Sequence, residues 1–165
     1  MALALAKAPI VDEYDLTSLG QIICGAAPCS TELIDQVTNR IRVPIHQGWC
    51  MSETTSVATV NRKGHNKSST CGQLVPGQQA RIVLENGKDA APGKEGEVWV
   101  RGPNIVRAYH GNLKATRETF TEDGWLKTGD VGIFDEEGYL KIVDRTKELI
   151  KVRQVTGPSL VIIDL

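Results

Sequence analysis

Aromatic residues are scarce in this chain. They make up 5% of it, with only two Phe beside three Tyr and three Trp. Its interior must therefore be built mostly from Val, Ile, Leu and Ala. An excess of charge of either sign is also missing: 19 Lys and Arg face 20 Asp and Glu, a formal net charge of −1. That excludes a nucleic-acid binder working through a broad basic face, and an acidic disordered tail. No apolar run approaches the roughly 18 residues that a membrane span needs. The opening MALALAKAPI is apolar for a few residues without a basic leader or a clean cleavage site, and reads as a helix start, not a signal peptide. Cys24, Cys29, Cys50 and Cys71 show no CxxC spacing, and His46, His65 and His110 do not cluster with them. Four free thiols in a reducing compartment is the plainer reading, with a structural zinc site as the alternative.

What is present is globular in character. The 165 residues are 41% hydrophobic and 24% charged, which suits one ordinary domain or part of a larger one. Sixteen Gly and seven Pro make the chain rich in turns without low complexity. Ala2 to Lys7 suits a helix that Pro9 ends. Ile22-Ile23-Cys24 runs into Gly25-Ala26-Ala27-Pro28, the pattern of a buried strand entering a Gly-containing turn. Ser30 is a suitable N-cap, and Leu33, Val37 and Ile41 then recur at helical spacing, predicting an amphipathic helix over 31–41. Val43-Pro44-Ile45 begins a second strand that Gln47-Gly48-Trp49 is expected to end. Strand, helix and strand at this spacing form a βαβ unit with parallel strands.

Residues 61–76 are polar and turn-rich and read as a linking loop. Beyond them the period becomes two. Strands are expected over 80–84, 96–102, 125–130, 131–134 and 139–144, with turns at Asn86-Gly87, Ala90 to Gly93 and Asp135 to Gly138. Lys114 to Phe120 is a short helix. The second half therefore reads as a small antiparallel β-barrel or sandwich, and no internal repeat is present.

Three segments can carry chemistry. Gly25 to Pro28 has no bulk at the carboxyl end of a parallel strand and lets a flat ligand approach the backbone; the alternative is a plain strand-to-helix turn. Gln47 to Thr55 offers an aromatic face, hydroxyls and one carboxylate at the corresponding end of the next strand, suited to phosphate oxygens and to Mg²⁺ held through water. Its alternative is an N-capped helix start. In Trp125 to Asp130 a carboxylate at a strand end suits ribose hydroxyls, and Asp144-Arg145 after the last strand is either part of the same site or an ion pair on a solvated turn.

Together and in this order, GAAP (25–28), QGWCMSETT (47–55), GEVWVRGPNIVRAYHGN (96–112), GWLKTGD (124–130) and GYLKIVDRTKELIKVR (138–153) resemble the adenylate-forming superfamily, and within it the 4-coumarate–CoA ligase-like acyl-CoA ligases. The resemblance runs over about residues 8–153. It implies an α/β fold: a βαβ remnant of the large AMP-binding domain (1–60), the linker (61–76), a β-barrel subdomain (77–144), a hinge (145–153) and a divergent tail (154–165). It implies activation of a small carboxylic acid, aromatic or fatty, by ATP and Mg²⁺ to an acyl-AMP, then transfer to coenzyme A. Gly25, Ala26 and Ala27 would line the adenine and part of the acyl pocket, with Gln47 and Gly48 in the same cofactor-binding set. Trp49 would pack on adenine where Tyr is commoner in the family. Ser52 would contact the α-phosphate and Glu53 would help to hold Mg²⁺. Asp130 and Arg145 would bind ribose, with Arg145 also in reach of phosphate. Asp144 and Lys147 would belong to the hinge, and Lys151 to the thioester-forming conformation. His46 would line the acyl pocket or be a satisfied core histidine; no general base is expected, because the acid is already ionised.

The departures from the family matter as much. A Ser/Thr/Gly-rich phosphate loop ending in Lys and the lysine of the small C-terminal domain have no counterpart in these residues, and Gln154 stands where Gly is expected. The chain is thus expected to be a fragment, inactive or weakly nucleotide-binding by itself. The alternatives are a non-catalytic nucleotide- or partner-binding remnant, an adenylation domain feeding a carrier-protein thiol, and a chain completed by a partner that supplies the missing domains. Neither nucleic acid nor a membrane span is expected. The sequence ends IIDL, without SKL, KDEL or CaaX, and a cytoplasmic location is expected ahead of a peroxisomal one.

Overall fold

The computed structural model describes residues 1–25 and 29–145. They form helix α1 (Ala2–Lys7), β1 (Ile22–Cys24), α2 (Thr31–Ile41), β2 (Ile45–Met51), β3 (Ser56–Val60), β4 (Gln73–Leu74), β5 (Gln79–Val83), β6 (Gly96–Arg101), α3 (Leu113–Thr119), β7 (Leu126–Phe134) and β8 (Leu140–Arg145). Short 3₁₀ turns cover Pro9–Glu13 and Ser52–Thr54. The chain divides into two compact units: Met1–Gly77 with Gly138–Lys141, and Gln78–Glu137 with residues 142–145.

The first unit holds the sheet β1-β2-β3-β4. The expected βαβ unit is there: β1 and β2 are parallel, with Ile22 opposite Ile45 and Cys24 opposite Gln47. Helix α2 starts where its cap is written, with the Ser30 hydroxyl accepting the Leu33 N–H at 3.3 Å. It buries Ile34 and Val37 against Cys29 and Ile45, and α1 packs on the same cluster. Arg40 ties the two helices. Its guanidinium donates to the Leu5 and Ala8 carbonyls at 3.1 and 2.9 Å, satisfying part-buried acceptors at the end of α1, and pairs with Asp12 at 2.8 Å.

Two expectations for this unit are corrected. Strand β2 does not end at Gln47-Gly48-Trp49; it continues to Met51, because β3 folds back antiparallel on it and pairs Gly48 with Val60 and Trp49 with Thr59. Residues 61–76 are not loop throughout, since Gln73–Leu74 pairs with β3. Gly48 makes the close pairing feasible: a Cβ there would stand 2.9 Å from the Thr59 carbonyl.

The second sheet is β5-β6-β7-β8, with β5 to β6 and β6 to β7 antiparallel; β5, β6, β7 and the end of β8 fall in the second unit. The expected barrel is not found: the described strands form an open sheet of four. Alternation sends Val98, Val100 and Leu126 to one face, where all three are fully buried. The other face carries a stack of alternating cations and indoles. Lys127 lies over Trp99 at 5.5 Å, Arg81 lies between Trp99 and Trp125 at 4.7 and 4.6 Å, and Arg101 covers Trp125 at 4.6 Å. The cross-strand register Arg81–Trp99–Lys127 builds this stack.

Candidate functional site

The first unit gathers several candidate residues on β2 and the turn that follows it. Gln47 is buried; its amide donates to the Cys29 carbonyl at 3.0 Å and so fixes the chain just beyond the Gly25 turn. Gly25 follows β1, and a Cβ there would stand 3.4 Å from the Gly48 carbonyl and 3.5 Å from the Cys50 Sγ. Trp49 is buried in the strand. Ala26 and Ala27 lie outside the described residues. Ser52 is exposed and Glu53 is half-buried, both on the 3₁₀ turn.

Thr54, which the sequence reading did not single out, holds this turn. Its buried hydroxyl accepts the Met51 N–H at 3.0 Å and lies 2.6 Å from the Ser56 carbonyl and 3.0 Å from that of Met51, the acceptors for its own proton. The next two residues adopt left-handed backbone, Thr55 at φ 47° and Ser56 at φ 97°. Such conformations cost energy in non-glycine residues and persist only where neighbours enforce them. Nothing in the string Ser-Glu-Thr-Thr tells which threonine turns inward.

His46 is 3% exposed on β2, opposite Ile23, and neither ring nitrogen has a hydrogen-bond partner among the described residues. It lies in the core but is not the satisfied histidine of one expectation. Cys24, Cys29 and Cys50 are free thiols, and burial, together with the neighbouring Cys24, pushes the Cys29 thiol up to about 11. No group of three or more His, Cys, Asp or Glu side chains able to hold a metal occurs among the described residues.

The second unit presents Asp130, 2% exposed, from a distortion in β7. Its carboxylate accepts the Arg145 Nε–H at 2.6 Å. Arg145 is half-exposed, and its own backbone N–H donates to the Asp144 carboxylate at 2.7 Å. The distortion follows from register: Glu97 faces Val131 and Trp99 faces Lys127, so Thr128, Gly129 and Asp130 stand opposite Val98 alone. The strand expected to end at Asp130 therefore continues through it to Phe134. Lys147, Lys151 and the expected tail lie outside the described residues.

The first unit thus carries a hydroxyl- and carboxylate-bearing turn after a parallel βαβ layer, and the second a sheet that buries Asp130. The chain belongs to the AMP-binding enzyme family, whose pattern matches residues 1–110. It is 43% identical over 161 residues to a probable 4-coumarate–CoA ligase of Dictyostelium discoideum, covering 96% of this chain and 29% of that one. It is 40% identical over 150 residues to a luciferin 4-monooxygenase of Photinus pyralis, covering 90% and 27%. Among solved structures it resembles an anthranilate CoA ligase in complex with anthranoyl-AMP, with TM-score 0.81 and 28% identity over 88% of this chain and 28% of that one. ATP-bound MatB from Rhodopseudomonas palustris gives TM-score 0.72 and 31% identity over 77% and 25%. The chain thus spans less than a third of the length of these relatives. Among its described residues no helix is long and apolar enough to cross a membrane.

Proposed function

We propose that this chain carries the AMP-binding portion of an acid–thiol ligase that activates a carboxylic acid as its acyl adenylate and passes the acyl group to coenzyme A. The observation that carries the reading is the buried Asp130 carboxylate, held by a half-exposed arginine at a strand distortion, in a chain whose relatives are named as coenzyme A ligases. A carboxylate can accept from a pair of vicinal hydroxyls, and Arg145 donates to its Oδ1 at 2.6 Å. In this reading Asp130 binds the ribose, with Arg145 beside it. Trp49, Gly25 and the Gly48 backbone border the adenine, and Ser52 donates to the α-phosphate. Asp144, Lys147 and Lys151 serve the hinge and the thioester step.

In this reading Glu53, the carboxylate on the 3₁₀ turn beside Ser52, would help to hold Mg²⁺ together with water and substrate phosphates. When bound, Mg²⁺ offsets the negative charge that builds on the phosphate oxygens. The chain's residues position the nucleotide for attack by an acid that needs no general base. The names of the relatives favour an aromatic acid. These residues hold no counterpart of the family's phosphate loop or C-terminal lysine, so in this reading they bind nucleotide and turn over little or nothing by themselves.

Calorimetric titration of AMP, and of ATP with Mg²⁺, into the purified chain tests this. Saturable binding weakened about tenfold or more in Asp130→Ala is the expected result, the scale of a lost charged hydrogen bond. Absence of heat from a folded, monodisperse sample, or equal binding by the variant, overturns it.

A further inference from the structure

Glu97 is the second residue of β6, and its carboxylate serves two donors. Oε2 accepts the Trp99 indole N–H at 2.8 Å, and Oε1 accepts the Gly129 backbone N–H at 2.9 Å. Gly129 is the middle residue of the three that bulge opposite Val98, and its φ of 74° belongs to the left-handed region. A second pin acts on the same bulge: the Thr128 hydroxyl donates to the Val98 carbonyl at 2.6 Å and accepts the Asp130 N–H at 3.1 Å. A bulge leaves amide groups without ladder partners and bends the strand that carries it. Here the Gly129 amide receives a charged acceptor, and the hydrogen bond is made one residue before the buried Asp130.

We propose that Glu97 is the positioning residue of the Asp130 site: by clamping the Gly129 amide and the Trp99 indole together, it fixes the bulge that aims the Asp130 carboxylate. This rests on the reading of Asp130 as a ribose-hydroxyl acceptor. Glu97 touches no ligand in that reading. It acts through the backbone, and the carboxylate form is required because two N–H donors converge on it. A glutamine of the same shape has one acceptor oxygen, and its amide nitrogen would meet an N–H.

The test uses the full chain and two probes, AMP and 2′,3′-dideoxy-AMP. The unmodified chain should prefer AMP, and Glu97→Gln should reduce that preference about tenfold or more, the scale of a charged hydrogen bond lost at Asp130. In Glu97→Gln/Trp99→Phe the amide oxygen has only the Gly129 N–H to serve, so the preference should return. A merely structural role would weaken both nucleotides alike and give no rescue, and either result overturns the proposal. Amide exchange in the unmodified chain gives an independent check. The Gly129 N–H should be protected, and exchange at the rate of a free peptide overturns the clamp whatever the variants do. If the unmodified chain binds neither nucleotide, the reading of Asp130 fails, and the exchange measurement alone decides the clamp.

Discussion

Gly72 and Gly87 both hold left-handed backbone, with φ of 85° and 78°, yet their surroundings differ. A Cβ on Gly72 would overlap the Val60–Asn61 peptide, whereas one on Gly87 would meet open space. Gly87→Ala should therefore cost only the conformational strain, about 1–2 kcal/mol. Gly72→Ala must also move β3 backbone and should cost more than about 3 kcal/mol or prevent folding. Denaturant midpoints compare the two. Cys29 gives a prediction of another kind. Its thiol is pushed from 9.0 up to about 11, so the folded chain keeps a proton that the unfolded chain loses as pH rises past 9. Cys29 therefore contributes stability that is fully present below pH 9 and is lost as pH rises from there toward 11. In Cys29→Ala the alkaline fall in stability should be shallower, as read from guanidinium titrations at pH 8, 9, 10 and 11.

At the scale of elements, Arg40 does the work that α1 cannot do alone. Six residues are too few for a stable isolated helix, and α1 ends on carbonyls that Arg40 takes up. Arg40→Ala should release α1 and the Pro9–Glu13 turn while leaving β1, α2 and β2 folded. Limited proteolysis should then cut within the first 13 residues at least about tenfold faster, given the loss of two hydrogen bonds and an ion pair; an unchanged pattern would show α1 held by packing alone. The same elements show how far the sequence could be read. The βαβ unit was legible because Ser30, the periodic Leu33, Val37 and Ile41, and the apolar runs beside the turns all agree. The passage of β2 to Met51 was not, since Gly48 reads as a stop until β3 is seen to need the space above it. The open second sheet was read as a barrel because alternation specifies strands and faces but not closure. Site residues were legible as types at turns; Thr54 bonds to Met51 and Ser56 close by, but Ser-Glu-Thr-Thr does not say which threonine turns inward, whereas Glu97 owes its role to a partner reached through the fold. Gly129 is 32 residues from Glu97, a separation that no local pattern records.

At the scale of the whole molecule, the first sheet ends on β1, and Ile23 there is 60% exposed. An exposed edge strand with an apolar side chain is a template for pairing with another chain. The chain should self-associate as concentration rises. Ile23→Lys should suppress that association without lowering thermal stability, as read by light scattering on eluting peaks. Equal association by the variant would locate the contact elsewhere.

The cation–indole stack has an optical consequence. Of the three tryptophans, Trp49 lies in the first unit, while Trp99 and Trp125 lie in the second, each between cations. Their fluorescence is divided between the two units by the sequence itself. A Trp49→Phe chain emits from the second unit alone, and a Trp99→Phe/Trp125→Phe chain from the first alone. Intrinsic emission can thus follow each half separately through a melt or a nucleotide titration, with no dye attached.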